Sequence, residues 1–112
     1  MTKDRLFPLQ PDFEDAGRRW FCPPCATVAG FLDWFPRVRD AIDLVYVDFP
    51  RPRGPVAELL GDDHPGCPLL VMSEDARDVP EVKVLDGRRC LDDPQTITRY
   101  LAERHGAPAP HC

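Results

Sequence analysis

The sequence predicts an α/β domain of element order β-α-β-α-β-β-α, a four-stranded mixed sheet with helices on both faces. Three observations predict it. "LVYVDF" (Leu44–Phe49) is a run of β-branched and aromatic residues, which reads as a strand. Val28, Phe31, Leu32 and Phe35 recur at i, i+3, i+4 and i+7, the apolar stripe of a helix. Asp93, Pro94 and Gly106 punctuate the last helix as N-cap, first residue and C-terminal cap.

Along the chain, "RLFPL" (Arg5–Leu9) opens as a short strand, weakened by Pro8, which has no N–H for a ladder. Residues 10–21 read as a polar loop. The first helix runs from about Pro24 to Phe35 and ends at Pro36, because the residue before a proline is pushed out of the α region. "PRPRGP" is a turn, and a short helix around Val56–Leu60 stops at Gly61. "PLLVM" (Pro68–Met72) reads as a buried strand, followed by a loop with Pro80, a strand at Val82–Leu85 and a turn at Asp86–Gly87. The last helix presents Ile97, Tyr100 and Leu101 on its apolar face, and the tail "APAPHC" is extended. With no repeat or linker, the expectation is a single domain over 1–112, its core at about 5–106 and its tail at 107–112.

Composition narrows the function classes. The 112 residues suit one domain with a modest core, and 43% apolar with 29% charged residues is ordinary for a globular chain. Fourteen prolines predict short elements separated by stiff turns. A net charge of −5 argues against a nucleic-acid face. No apolar run approaches the roughly 20 residues that span a bilayer, so no membrane partner is expected. "MTKDRLFPLQ" has no apolar secretory stretch, so the expected location is cytoplasmic, where thiols stay reduced. Five cysteines, an odd number, do not suit a fully paired disulfide framework. The basic pairs Arg18–Arg19, Arg51 with Arg53, and Arg88–Arg89 read as solvated surface or as receivers of an anionic thiol substrate. The chain is expected to be a monomer or a weak dimer.

The chemistry concentrates in "WFCPPCATVAGFLDWF". Cys22 and Cys25 read as a redox dithiol, half of a zinc site or a small disulfide loop. Cys22 lies at a helix start, where unpaired N–H groups and the positive end of the macrodipole favour a thiolate. Cys25 lies inside the first turn, more sheltered, where it can attack a mixed disulfide at Cys22. In the zinc reading, His64-Pro-Gly-Cys67 supplies a second pair, and Cys22, Cys25, His64 and Cys67 are the ligands. A third reading is a non-catalytic binding module.

"FCPPC" at a strand–helix junction resembles the active-site motif of thioredoxin-like proteins, nearer to the aromatic-Cys-Pro-x-Cys form of glutaredoxins. Pro68 in "CPLL" stands where such folds carry a cis-proline. The segment "DGRRCLDDPQTITRYLAERHG" (Asp86–Gly106) is similar to the end of the glutathione-transferase N-terminal domain. The whole chain also resembles a bacterial family of thioredoxin-like proteins of unassigned function. The resemblance implies a thiol–disulfide oxidoreductase with Cys22 as the attacking thiolate and Cys25 as the resolving thiol. Phe21, Cys67 and Pro68 would line the substrate groove, and the substrate would be a disulfide-containing protein or a small thiol. No bound organic cofactor is required; zinc belongs to the alternative alone. Glutathione-binding members carry an acidic residue and then serine where this chain has Asp93–Pro94. Pro94 supplies neither hydroxyl nor N–H, which counts against glutathione as the partner. Cys67 is open to two roles, an alternative disulfide with Cys22 or an inert small residue. Cys90 is expected to fill space near the sheet edge and Cys112 to be an exposed terminal thiol, with Trp20 and Trp34 in the core or lining the groove.

Overall fold

The computed structural model describes residues 3–111; Cys112 lies outside them. Strand β1 (Arg5–Phe7) leads to a hairpin of β2 (Phe13–Asp15) and β3 (Arg18–Trp20), then to α1 (Pro23–Trp34), α2 (Pro36–Asp40) and β4 (Asp43–Leu44). After α3 (Gly54–Leu60) come β5 (Leu69–Val71), β6 (Lys83–Leu85), β7 (Arg88–Leu91) and α4 (Pro94–His105). The main sheet is mixed and five-stranded, in the order β4-β1-β5-β7-β6. Only β1–β4 is parallel; the other neighbours are antiparallel.

Alternation along the strands divides the core into two layers. Leu6, Leu70 and Leu91 point to the face covered by α1, α2 and α4, where they pack with Val28, Leu32, Val38, Ile97 and Leu101. Phe7, Leu69, Val71 and Cys90 point to the other face, against Val56 and Leu60 of α3. Helices therefore cover both faces, as the sequence predicts.

The predicted count of four strands is corrected to five. Asp86 (φ 49°) and Gly87 (φ 75°) form a two-residue turn with positive φ at both positions, and the chain returns at once as β7. β7 inserts between β5 and β6, so Val82–Leu85 supplies the edge strand and Cys90 sits on an interior strand, not near the edge. Two consecutive arginines hide β7 in the sequence. Arg89 is satisfied by the carbonyls of Ser73 (2.9 Å) and Ala76 (2.8 Å) and by the Asp78 carboxylate (2.6 Å), so it stays at the rim.

Residues 10–21 are likewise not a simple loop. Ala16 (φ 54°) and Gly17 (φ 76°) make a second turn of the same kind and pair β2 with β3. Nor does Pro36 end helical structure: Phe35 breaks α1 with φ −125° and ψ 72°, and Pro36 opens the short α2 as its first residue. The Leu44–Phe49 strand is shorter than predicted for a specific reason. Val45 donates to Leu6 and Val47 to Pro8, while Gln10 donates to Val47, so this segment runs alongside β1. The bond missing from that ladder is the one Pro8 has no N–H to make.

Candidate thiol site

Three neighbouring stretches build the site: the end of β1 with Leu9, the junction of β3 with α1, and the loop that enters β5. β3 ends at Trp20, so Phe21 and Cys22 follow directly from the hairpin into α1. Cys22 is the N-cap of α1, with extended backbone (φ −90°, ψ 108°). Its Sγ accepts a hydrogen bond from the Cys25 backbone N–H at 3.2 Å. That N–H is one of the first-turn donors with no partner inside the helix, and it faces the sulfur together with the positive helix end. Pro23 and Pro24 remove two donors that would otherwise need water.

Cys25 lies one turn inward and is only 5% exposed. The Leu9 backbone N–H reaches its Sγ at 3.5 Å. Burial pushes the Cys25 thiol up to about 12, and the hydrogen bond with Cys22 adds to this. The Cys22 thiol donates to the Cys67 carbonyl oxygen at 3.9 Å. Cys67 precedes Pro68 through a cis peptide bond, as the resemblance implies for Pro68. Cys67 is half-buried; burial raises its thiol, opposed by the charge and hydrogen bond of Arg53, whose Nη1 lies 3.7 Å from the sulfur. All four described cysteines are free thiols.

A cleft of about 280 Å³ opens onto the pair. Pro8, Leu9, Phe21 and Tyr46 line it together with Cys22 and Cys25. It is mostly apolar. A larger cleft of about 480 Å³, between the outer face of α1 and the tail, holds no cysteine. Phe21 thus lines the cleft at 62% exposure, whereas Trp20 and Trp34 are exposed and outside the core. Trp20 instead donates from its indole to the Asp15 carbonyl (2.8 Å) beneath the Arg18 guanidinium.

His64 sits elsewhere in the chemistry than the zinc alternative needs. It is buried, and the Arg53 backbone N–H points at its Nε2 (3.2 Å). Its Nδ1 lies 2.9 Å from the Pro65 carbonyl oxygen and 3.2 Å from Arg51 Nη1. Both nitrogens are engaged with the backbone. Among the described residues, no group of three or more His, Cys, Asp or Glu side chains is placed to hold a metal ion. At the other end of the chain, Asp93 caps α4 by accepting from the Thr96 N–H (2.9 Å) and hydroxyl (3.1 Å).

Sequence reasoning missed Tyr46 as a cleft residue and read Arg53 as solvated surface or a receiver of an anionic thiol substrate, not as a buried residue. Tyr46 was findable, because alternation turns it outward between Val45 and Val47. Nothing in its stretch of prolines and glycine signalled that Arg53 is buried.

The buried thiols make stability pH-dependent. Burial pushes Cys90 up to about 11, alongside Cys25 at about 12. A raised folded-state value means stability is intact below the ordinary thiol range of about 8.5 and is lost as pH rises toward the folded values. Thermal unfolding in reductant from about pH 8 to about pH 11 should show a steadily falling midpoint. A midpoint constant over that range would contradict the burial.

These features define an α/β domain with a mixed five-stranded sheet that presents a free thiol pair at a helix N-terminus, open to an apolar cleft. The chain belongs to the family DUF3088, described as a protein of unknown function, whose model matches residues 3–109. No curated protein and no solved structure matches it.

Proposed function

We propose that this chain is a thioredoxin-like thiol–disulfide oxidoreductase acting through Cys22 and Cys25. The observation that carries this is Cys22 itself, an N-cap sulfur that accepts the Cys25 N–H at 3.2 Å while a cleft gives access to it. A sulfur so placed is suited to bear negative charge and to attack a disulfide. The element order supports the thioredoxin-like class: parallel β1 and β4 joined through α1, then antiparallel β5 and β7 and a closing α4. β6 and the β2–β3 hairpin are additions to that plan.

In the forward half-reaction, Cys22 thiolate attacks a substrate disulfide, forms a mixed disulfide and releases one thiol. Cys25 then attacks Cys22 Sγ, releases the second thiol and closes the Cys22–Cys25 disulfide. Its two electrons have passed to the substrate and are returned by a separate thiol reductant. The apolar cleft favours an uncharged disulfide over glutathione, whose γ-glutamyl end finds Pro94 at the start of α4. The described residues include no helix long and apolar enough to cross a membrane, and the free thiols suit a reducing compartment. A cytoplasmic location is part of this proposal.

The test is a trap. The Cys25→Ser variant mixed with 2-hydroxyethyl disulfide should gain, at early times, a mercaptoethanol adduct that maps to Cys22 by peptide mass. No adduct at Cys22 at any time would return the chain to a binding role.

A further inference from the structure

We propose that Cys67 is a third exchanging thiol of this site, with Arg53 as its counter-ion, and that it resolves a mixed disulfide at Cys22 in parallel with Cys25. The proposal rests on the thiol–disulfide reading above. Its starting point is a buried arginine without an acid.

Arg53 is only 7% exposed. A buried charge is costly unless something compensates it. Among the described residues, the ion pairs are made by Arg19, Lys83, Arg89, Arg99 and Arg104, and none by Arg53. Its placement is nonetheless built. Nε donates to the Phe49 carbonyl (3.0 Å), and the guanidinium lies 5.5 Å from the centroid of the Phe49 ring. That ring is stacked on Phe13 at 4.6 Å, and the Arg53 backbone N–H is held by His64. The remaining group at the guanidinium is Cys67 Sγ, 3.7 Å from Nη1. Of the groups Arg53 touches, only this sulfur can acquire a full negative charge.

Cys22 Sγ is 3.9 Å from the carbonyl oxygen of that same Cys67. Two thiols therefore flank Cys22, and they differ in one respect. Cys25 is buried without a cation against it, which pushes it up to about 12, whereas the Arg53 guanidinium opposes the effect of burial on Cys67. When a substrate group R is joined to Cys22, Cys67 thiolate turns about its Cα–Cβ bond from Arg53 to Cys22 Sγ. The new S–S bond forms as the Cys22–S–R bond breaks, and RS⁻ leaves and takes a proton from water. The sum is two protein thiols and R–S–S–R converted to a Cys22–Cys67 disulfide and two R–SH.

The Cys25→Ser variant with 2-hydroxyethyl disulfide separates the two readings. The adduct at Cys22 should form and then decay, releasing a second thiol and leaving a Cys22–Cys67 cross-link in the peptide map. Adding Cys67→Ser should make the adduct persist. Adding Arg53→Gln should slow the decay about ten-fold or more, the loss of one charge-assisted hydrogen bond, and Arg53→Lys should restore most of the rate. Melting temperatures of both Arg53 variants check the fold, and the lysine variant is read against Cys25→Ser alone if the glutamine variant unfolds. A Cys22 adduct that persists in Cys25→Ser overturns this proposal and leaves the proposed function standing. So does a decay that ignores Arg53 in both variants. Failure to form any adduct at Cys22 overturns both.

Discussion

Cys22→Ser should abolish formation of an intramolecular disulfide with 2-hydroxyethyl disulfide, leaving only the slow reaction of the remaining single thiols, with the fold intact. Serine is among the preferred N-cap residues, so its hydroxyl can take the Cys25 N–H that the Cys22 sulfur accepts at 3.2 Å. α1 therefore keeps its cap. What is lost is the only sulfur of the pair that a disulfide can reach. Cys25 does not replace it: burial pushes its thiol up to about 12, so at neutral pH it stays protonated and a poor nucleophile. Cys25 is also 5% exposed. The measurements are thiol release over time and the melting temperature of the same preparation. A variant that keeps half the wild-type rate would end the proposed mechanism; one that has also lost its melting transition would show that the cap geometry has been misread.

Asp4→Ala should destabilise the fold by about 3–5 kcal/mol, the cost of breaking a buried charge pair by removing one partner. Asp4 is 1% exposed and joins three elements. Its carboxylate accepts from the Ser73 backbone N–H just after β5 (2.8 Å), from the Tyr100 hydroxyl (3.0 Å) and from Arg104 of α4 (3.0 Å). Arg104 Nη1 donates as well to the Ser73 hydroxyl at 2.8 Å. Removing the carboxylate leaves a phenol and a backbone N–H without their acceptor, and leaves the arginine with the Ser73 hydroxyl and the Asp75 carboxylate at 3.5 Å. For a chain of this size the expected fall in Tm is about 15 °C. Asp4→Ala/Arg104→Ala should recover part of it, because the cation that has lost its buried partner goes too. A single variant that melts within a few degrees of wild type, by calorimetry at neutral pH, would contradict this role.

The Asp4 cluster and the thiol site lie at opposite ends of legibility. Asp93, Pro94 and Gly106 bound α4 as their local chemistry dictates, with Asp93 accepting from Thr96 and Gly106 left-handed at φ 71°. Local rules also placed Cys22 at a helix start, since two prolines after it suit a first turn and nothing else. β7 escaped because its Arg89 is satisfied by carbonyls of the Ser73–Ala76 turn, a partner distant in sequence. Asp4 escaped for the same reason: a single aspartate near a chain start has no periodicity, and its partners Tyr100 and Arg104 are 96 and 100 residues away.

Sequence by itself determined where the two long helices lie, which residues alternate into the core, and that a C-x-x-C pair begins the first of them. Those are consequences of neighbours within one or two turns, where backbone donors and fixed proline angles act. Only the tertiary structure decided that Cys67 lies at Cys22, that His64 has both ring nitrogens engaged with the backbone, and that Arg53 is buried against a sulfur and makes no ion pair among the described residues. Each depends on a loop packing beside a helix end 30 or more residues earlier or on a side chain turned inward. Burial, not residue type, then sets which thiol keeps its proton.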